Sequence, residues 1–161
     1  MKISAEISKW LAPAIGIVCN EMAVGTNNSL NLGFGRGVLD PIRGSPDRMS
    51  YEWMMGTFNA AWRITDGKTV LTGSKESRDE KLVALSLRDI AIGGLVGIEM
   101  SSRFDIRVDF STGLSVEFFS AATIDDEIFY IIGPNGFDAG YSYIDGWSLD
   151  SRPPRTNGEP R

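Results

Sequence analysis

The stretch FDIRVDFSTGLSVEFF, residues 104–119, constrains the fold most, because apolar and polar residues alternate on both sides of a Ser-Thr-Gly break. Successive side chains of a β-strand point to opposite faces of the sheet. The first half of the stretch therefore turns its apolar residues one way and Asp105, Arg107 and Asp109 the other. This pattern predicts an antiparallel hairpin with one buried face and one exposed face that carries carboxylates.

The loop length of this hairpin follows from its register. A three-residue loop over residues 111–113 pairs Phe110 with Leu114 and leaves both apolar sets on one face, whereas a two-residue loop would turn one set outward. The same register places Arg107 opposite Glu117, a cross-strand pair that contributes roughly 0.2–1 kcal/mol.

A second hairpin is indicated by the Asp-Gly pair at residues 66–67, which is typical of a two-residue turn. That turn would place Ile64 against Thr69 and Trp62 against Leu71. We therefore expect two adjacent strands here, separated by two residues.

Two short helices are indicated. Ser77 is in position to cap the later one, with Glu80 in the capping-box position. Leu82 and Leu85 form its apolar stripe, with Val83 at the margin. The earlier one lies near the N-terminus, where apolar residues recur at helical spacing: Ile3, Ile7, Trp10 and Leu11.

The chain also contains an internal repeat. GIVCNEM at residues 16–22 matches GLVGIEM at residues 94–100, an offset of 78, and SLNLGFG at residues 29–35 echoes DIRVDFS at residues 105–111. A single helix on a few strands buries too little surface to be stable alone. The repeat therefore predicts two similar units packed together.

We expect an α+β fold that is mainly antiparallel β, with two short helices and two pseudo-repeated helix-plus-four-strand units sharing one core. Residues 1–150 form a single globular domain in this interpretation, with units at about 1–74 and 75–133 and an aromatic-rich extension after them. Residues 36–50, rich in Gly, Pro and charge, are predicted to form a long loop. Residues 151–161 lack an apolar anchor and are predicted to be a disordered tail.

The formal charge of −5 is unevenly distributed. Residues 1–80 carry nine basic and nine acidic side chains, whereas residues 81–161 carry seven basic and twelve acidic. Such an acidic half would repel phosphate backbones, which argues against nucleic-acid binding, and would attract a basic partner. The alternative is that these carboxylates serve solubility alone.

The sequence gives no indication of export or membrane contact. No run approaches the ~18 apolar residues that a spanning helix needs, and Glu6, Ser8 and Lys9 interrupt the N-terminal segment where a signal peptide needs an apolar centre. The single cysteine, Cys19, excludes a disulfide within the chain. We therefore expect a cytoplasmic protein.

Catalytic motifs are missing as well. The chain has no histidine, which removes histidine-dependent nucleophile systems and histidine-ligated zinc. Cys19, in an apolar-flanked segment, fits a buried structural thiol. The GFGRG run at residues 33–37 is not followed by a helix start that could receive a phosphate. The acidic run Asp125, Asp126 and Glu127 lacks the spacing of a calcium loop and fits a solvated turn. We predict a protein that is not an enzyme and needs no cofactor.

The stretch WRITDGKTVLTGSKESRDEK, followed by IGGLVGIEMSSRFDIRVDFSTGLSVEFF, resembles a widespread group of small bacterial proteins without an assigned activity. Their pattern is a Trp-Arg-Ile strand, a DG or NG turn, a GS before an acidic helix start, and a DL-x-V-x-F-x-G-x-x-L-x-V-F hairpin. The resemblance covers the middle third of the chain and ends where the 36–50 segment and the tail beyond Gly133 differ. Proteins similar to this group look like immunity or accessory proteins near bacterial toxin systems, and the shared positions are turn and core positions. In this chain the hairpin positions are Asp105, Ile106, Val108, Phe110, Gly113, Leu114, Val116 and Phe118.

The leading hypothesis is a non-enzymatic protein-binding module, of the immunity or accessory type, that blocks a basic partner such as a toxin through an acidic surface. Two alternatives are a small-ligand-binding β protein and, with less support, a carboxylate-dependent hydrolase. A homodimer formed through exposed strand edges is also compatible with the sequence. The hypothesis assigns partner contacts to carboxylates and to the aromatic run YSYIDGW, with core packing as the alternative use of that run. The assigned residues are Asp105, Asp109, Glu117, Asp125, Asp126, Glu127, Tyr141, Tyr143 and Trp147.

Overall fold

The computed structural model describes residues 5–39, 49–101, 104–120 and 127–149. These residues form two α-helices and eleven strands, with antiparallel pairing throughout both sheets. In chain order the elements are α1 (Ala5–Leu11), β1 (Cys19–Val24), β2 (Leu30–Leu39), β3 (Met49–Gly56), β4 (Ala61–Thr65), β5 (Val70–Gly73), α2 (Glu80–Leu87), β6 (Leu95–Met100), β7 (Ile106–Phe110), β8 (Ser115–Phe119), β9 (Phe129–Ile132), β10 (Asp138–Ser142) and β11 (Gly146–Leu149). The expected α+β architecture, mainly antiparallel with two short helices, is confirmed.

The hairpin predicted from the alternating stretch is confirmed in its register. Arg107 pairs with Glu117 between β7 and β8, and the amide of Phe110 donates to the carbonyl of Leu114 at 3.0 Å. Gly113 in the loop has φ +83°, a conformation that residues with a Cβ rarely adopt. The alternating apolar side chains from Ile106 to Phe110, and Val116 and Phe118, are buried, whereas Phe104, which the same alternation turned inward, is 46% exposed.

The strands form two sheets. The first sheet has the order β1-β2-β3-β9-β10-β11, and the second has the order β5-β4-β8-β7-β6. Aromatic rings contribute to the core that holds them together: Phe34 of the first sheet stacks on Phe110 of the second at 6.2 Å between ring centroids, and Phe118 contacts Phe129 at 5.0 Å. One cluster of buried residues includes side chains from both sheets and both helices.

Each sheet contains strands from both repeat units. Strands β1, β2 and β3 of the first unit continue the first sheet into β9 of the second unit and then into β10 and β11 of the aromatic-rich extension. Strands β6, β7 and β8 of the second unit continue the second sheet into β4 and β5 of the first. The units have therefore exchanged strands, and neither sheet is complete without both halves of the chain.

A pseudo-two-fold axis relates the two units and passes through an isolated bridge between Val18 and Gly94. An offset of 76 residues, the separation of these two residues, maps the pairing of β1 with β2 onto that of β6 with β7, including one bulge in each pair. Hydrogen bonds repeat with the same offset: the amide of Gly35 donates to the Val18 carbonyl at 3.1 Å, and the amide of Ser111 donates to the Gly94 carbonyl at 2.9 Å.

The offset of 78 suggested by the GIVCNEM and GLVGIEM letters is therefore wrong by two residues. Cys19 pairs with Phe34 and Leu95 pairs with Phe110, so Cys19 is equivalent to Leu95 and not to Gly97. Matching letters placed similar residues together, but the register of each bulged strand sets the structural equivalence.

The same offset of 76 relates buried residues of α1 to those of α2, and buried residues of β2 to those of β7. Each unit thus uses one apolar framework, and the two copies meet in the shared core. The equivalent buried pairs are Ile7 and Val83, Leu11 and Leu87, Leu30 and Ile106, Leu32 and Val108, and Phe34 and Phe110.

The later helix, α2, begins two residues after the predicted start. Its N-cap is Asp79, whose carboxylate accepts from the amide of Lys81 at 2.9 Å, while Ser77 accepts from the amide of Asp79 itself. The buried side chains are Val83 and Leu87, and the predicted stripe of Leu82 and Leu85 is about half exposed. The predicted stripe is wrong because Val83 and Leu87 are the residues that face the core. They are four residues apart, as are the buried residues Ile7 and Leu11 of α1.

In α1 the predicted residues divide into buried and exposed. Ile7 and Leu11 are buried, whereas Trp10 is 46% exposed and stacks on Phe137 at 5.2 Å. Ile3 lies outside the described residues.

The register predicted for the second hairpin is wrong. Thr65 pairs with Val70 and Ile64 pairs with Thr72, with a bulge between these pairs. The reason is that the Asp66 carboxylate accepts from the amides of Lys68 and Thr69, at 2.8 and 2.7 Å, and so closes a longer loop than the Asp-Gly pair suggested.

Both ends of the predicted loop over residues 36–50 belong to strands, because β2 continues to Leu39 and β3 begins at Met49. Residues 40–48 between them lie outside the described residues. The glycine run at residues 33–37 lies within β2 and contains a bulge, with Gly35 at φ +76°. The predicted tail, residues 151–161, also lies outside the described part of the chain.

Within the part of the chain that the structure describes, no helix is both long enough and apolar enough to cross a bilayer.

The strand exchange leads to a testable expectation. A protease site inserted between Glu76 and Ser77 and then cut should yield two fragments that stay associated and co-elute in size-exclusion chromatography. They stay together because β4 pairs with β8 and β3 pairs with β9 across the cut. Two separately folded fragments that elute apart would contradict the exchange.

Candidate functional site

The outer face of the second sheet carries a row of alternating charges. Arg63 of β4, Glu117 of β8, Arg107 of β7 and Glu99 of β6 are paired in register across four strands. Arg63 Nε lies 2.5 Å from Glu117 Oε2. We call this row the charge ladder, and the outer face of the second sheet that carries it the ladder face.

The carboxylates predicted to face a partner lie on or beside this ladder. Glu117 is paired with Arg63, and Asp109 Oδ1 lies 2.7 Å from Arg107 Nε and accepts from the Ser115 hydroxyl at 2.6 Å. Asp105 Oδ1 accepts from the amide of Ser120 at 2.9 Å. The expected pair of Arg107 and Glu117 is confirmed, and Arg63 adds a second arginine, so that the exposed face of this hairpin carries both signs of charge.

Arg63 is the residue that sequence reasoning missed. It belongs to the first unit and reaches the hairpin of the second unit only because the units exchange strands. Its guanidinium group also lies over the Phe119 ring, 4.9 Å from the centroid. Shallow hollows of about 270 and 350 Å³ lie on the two sides of the ladder.

The aromatic extension forms the β10–β11 hairpin and turns inward. Tyr141 is 2% exposed and lies 5.2 Å from the Trp147 ring, which also meets Phe129 edge-on. Tyr143 and Trp147 are half-buried and pack against the core. Tyr141 is therefore corrected from partner contact to core residue, and for Tyr143 and Trp147 the core alternative describes the packing.

The remaining predicted site residues follow β8. Glu127 is half-buried and its carboxylate lies directly against Gly140, so that a methyl group on this glycine would collide with it. Asp125 and Asp126 lie outside the described residues. Among the described residues, no cluster of three carboxylate or thiol side chains could hold a metal ion.

The outer face of the first sheet has a different character. One row across it reads Glu21, Gly33, Met54, Ile132 and Asp138, from β1 to β10. Its centre is apolar, with Gly33 buried and Met54 and Ile132 half-buried, and a carboxylate lies at each end. No cation occurs in this row.

Aromatic rings lie flat on the same face. A methyl group at Gly33 or at Gly37 would collide with the ring of Tyr51, so that ring covers both glycines. The Tyr130 hydroxyl donates to Asn31 Oδ1, and the 53% exposed ring of Phe58 stacks on Tyr130 at 4.7 Å. We call this surface the aromatic face.

The electrostatics of the aromatic face are those of a partly desolvated surface. Burial raises the pKa of Glu21 above its ordinary value. Burial also raises the pKa of Tyr51, and the charges of Glu21 and Cys19 act in the same direction. The Cys19 thiol donates to the Glu21 carbonyl at 3.2 Å, and burial raises its pKa to about 12.

A polar cleft of about 300 Å³ lies at the end of the second sheet. Asn28 lines it, but the side-chain nitrogen of Asn28 donates to the carbonyls of Ser74 and Ser77, and the backbone carbonyl of Asn28 accepts from Trp62 Nε1 at 2.6 Å. Asn28 has φ +56°, and Phe104, its equivalent by the 76-residue offset, has φ +66°. The left-handed backbone here serves the connection between strands, so it is not by itself a sign of ligand binding. The other lining residues are Asn27, Asn59, Ala60, Ala61, Lys75, Phe119, Glu127 and Ile128.

Comparison with known proteins adds no assignment: no protein-family model, curated protein or solved structure matches the chain. The two sheet faces are therefore interpreted from their own chemistry.

The ladder should contribute little to folding. In a double-mutant cycle of Arg63→Gln and Glu117→Gln, we expect a coupling energy under about 1 kcal/mol, because the two side chains are 44% and 21% exposed and water screens their attraction. Urea unfolding of the four proteins measures it. A coupling of several kcal/mol would show that the ladder is a structural requirement.

The Cys19 thiol should react slowly. With a pKa of about 12 instead of its ordinary 9.0, the thiolate population at mildly alkaline pH falls about a thousand-fold. Labelling with a chromogenic disulfide reagent should be slower by a similar factor in the native protein than in urea. Native labelling within a factor of about ten of the unfolded rate would contradict this burial.

Proposed function

We propose that the protein is a non-catalytic protein-binding module, of the immunity or accessory type, that covers a basic partner with its aromatic face. The observation that carries this proposal is the row on that face with an apolar centre and a carboxylate at each end. The proposal keeps the class of function expected from the acidic composition and moves the contact surface to the other sheet.

The charges of the first sheet support a basic partner. Its described strands hold three carboxylates, on Glu21, Glu52 and Asp138, and one cation, Arg36, which lies beyond the bulge of β2. Carboxylates at the edge of an apolar centre would attract basic side chains and steer their approach. In a nucleic-acid-binding partner they would occupy the positions of phosphates.

The aromatic rings provide the short-range part of the interaction. Phe58 presents a half-exposed ring whose other side rests on Tyr130, so little conformational entropy is lost when a partner covers it. Rigid aromatic side chains are enriched among the residues that dominate binding energies at protein interfaces. Occlusion of the partner's basic surface would be the mechanism, and it requires no bond to be made or broken.

The two sheets provide an internal comparison. The row of the first sheet equivalent to the charge ladder reads Ala23, Asn31, Gly56 and Tyr130. Since the apolar core positions are similar in both units while the outer positions differ, the fold does not dictate what either face carries. The aromatic face therefore reflects a requirement other than folding.

The partner can be identified and the contact mapped in one experiment. A photo-cross-linking amino acid at position 58 should capture a basic protein in cells that naturally express the chain, whereas the same group at Val96, an exposed residue of the second sheet, should not. Titration of the purified partner should then show at least about ten-fold weaker binding for Phe58→Ala, as expected for an interface anchor.

A matched control is Phe104→Ala, which removes an exposed phenylalanine away from the aromatic face and should leave the affinity unchanged. Glu21→Gln should weaken binding at low salt more than at high salt, and Glu76→Gln, an exposed carboxylate elsewhere, should not. Equal effects of Phe58→Ala and Phe104→Ala, or a captured partner that is acidic, would contradict the proposal.

A further inference from the structure

The charge ladder reads plus, minus, plus, minus from β4 to β6. Read from the other end it is minus, plus, minus, plus. A row with this property is complementary to a reversed copy of itself. When Arg63 faces Glu99 of a second copy, Glu117 faces Arg107 of that copy, and each of the four positions meets the opposite charge.

We propose that the ladder face is a self-association surface, through which two copies of this chain stack face to face about a two-fold axis parallel to their strands. Such an axis reverses the order of the strands and leaves the direction along them unchanged. β4 then lies over β6 of the other copy, and β8 lies over β7. The strands of the two sheets remain aligned, as in the common aligned packing of β-sheets.

The neighbouring rows agree with this arrangement. Thr65, Ser115 and Asp109 lie on one side of the ladder, and the reversed row puts the Ser115 hydroxyl opposite the Asp109 carboxylate of the other copy. On the other side, Asp105 comes opposite Phe119. At no position does a carboxylate meet a carboxylate.

The alternative two-fold orientation is disfavoured. An axis parallel to the ladder would place Arg63 over Arg63 and Glu117 over Glu117 of the second copy, so that all four positions meet the same charge. Like charges brought together in a partly desolvated interface repel one another strongly. The ladder thus selects one orientation among those that stack the two sheets.

The geometry also limits the strength of the association. Neighbouring strands are about 4.8 Å apart, so the ladder spans only about 14 Å, and the contact belongs to the small, weak class of interfaces. Desolvation of charges offsets part of their attraction. We therefore expect a reversible dimer that forms in concentrated protein at low salt and dissociates when salt screens the pairs. This surface is distinct from the aromatic face, so either assignment can fail without the other.

The test uses two neutralised variants of the full chain. One variant, Arg63→Gln with Arg107→Gln, keeps only the carboxylates of the ladder and is called the carboxylate variant. The other, Glu99→Gln with Glu117→Gln, keeps only the arginines and is called the arginine variant. Two copies of the same variant can form no ion pair between their ladders. Each variant alone should therefore sediment as a monomer under the conditions in which the unmodified chain forms dimers. An equimolar mixture regains Glu117 opposite Arg107 and Glu99 opposite Arg63, so it should regain association.

The outcomes separate cleanly in sedimentation velocity at low and high salt, with near-ultraviolet circular dichroism as the check that both variants are folded. Restored association in the mixture supports the proposal. A monomeric unmodified chain at high concentration and low salt overturns it, as does self-association of either variant equal to that of the unmodified chain. A mixture that stays monomeric while the unmodified chain dimerises also overturns it, and if a variant does not fold, Glu117→Gln alone should still weaken the dimer.

Discussion

The structure depends on the exchange of strands between two similar units about the bridge from Val18 to Gly94. Each unit has one helix and a three-stranded meander, and alone it would leave most of its apolar face exposed. The first unit adds β4 and β5 to the meander of the second, which becomes a five-stranded sheet, and the chain after β8 adds β9, β10 and β11 to the meander of the first, which becomes a six-stranded sheet. The buried rings of Phe34 and Phe110 then meet between the sheets, close to the pseudo-two-fold axis.

This arrangement separates what the fold requires from what the surface offers. The buried positions are filled twice with similar apolar residues, as at Leu32 and Val108. The outer positions of the second sheet carry charges, whereas those of the first sheet carry aromatic rings and glycines. A sheet whose inner face is fixed by packing can change its outer face at small cost in stability, because exposed ion pairs and surface rings add little to folding. Two faces with different chemistry on one scaffold follow from that freedom.

The local sequence pattern was enough to predict the register of one hairpin, but not the register of the other or the buried face of α2. The register of β7 and β8 was predictable because strict alternation and Gly113 allowed only one loop length. The register of β4 and β5 was not, because the Asp66 side chain decides it by closing a longer turn. The buried face of α2 could have been found by mapping Ile7 and Leu11 onto Val83 and Leu87. That mapping needs the offset of 76, which relates SLNLGFG to DIRVDFS, whereas the match of GIVCNEM with GLVGIEM gave 78.

The candidate site was less predictable for a related reason. The charges around Glu117 depend on Arg63, which lies far away in sequence and reaches the ladder only through exchanged strands. The aromatic run near the end of the chain contained no signal that distinguished an interface from a core. The Trp147 ring contacts both Phe129 and Tyr141, and Tyr141 is buried beneath it. Residues such as Phe58 and Tyr130 become neighbours only when β3 pairs with β9.

Native-state hydrogen exchange of the full chain tests the strand-exchanged sandwich most directly. Because both sheets contain strands from both units, neither unit can unfold without disrupting the other. The slowest amides of the β3–β9 and β4–β8 pairs should therefore exchange with one common free energy of opening, that of global unfolding. If the amides of one half of the chain exchange through a much cheaper opening while the other half keeps its full protection, the units fold independently and the account of a single exchanged core is wrong.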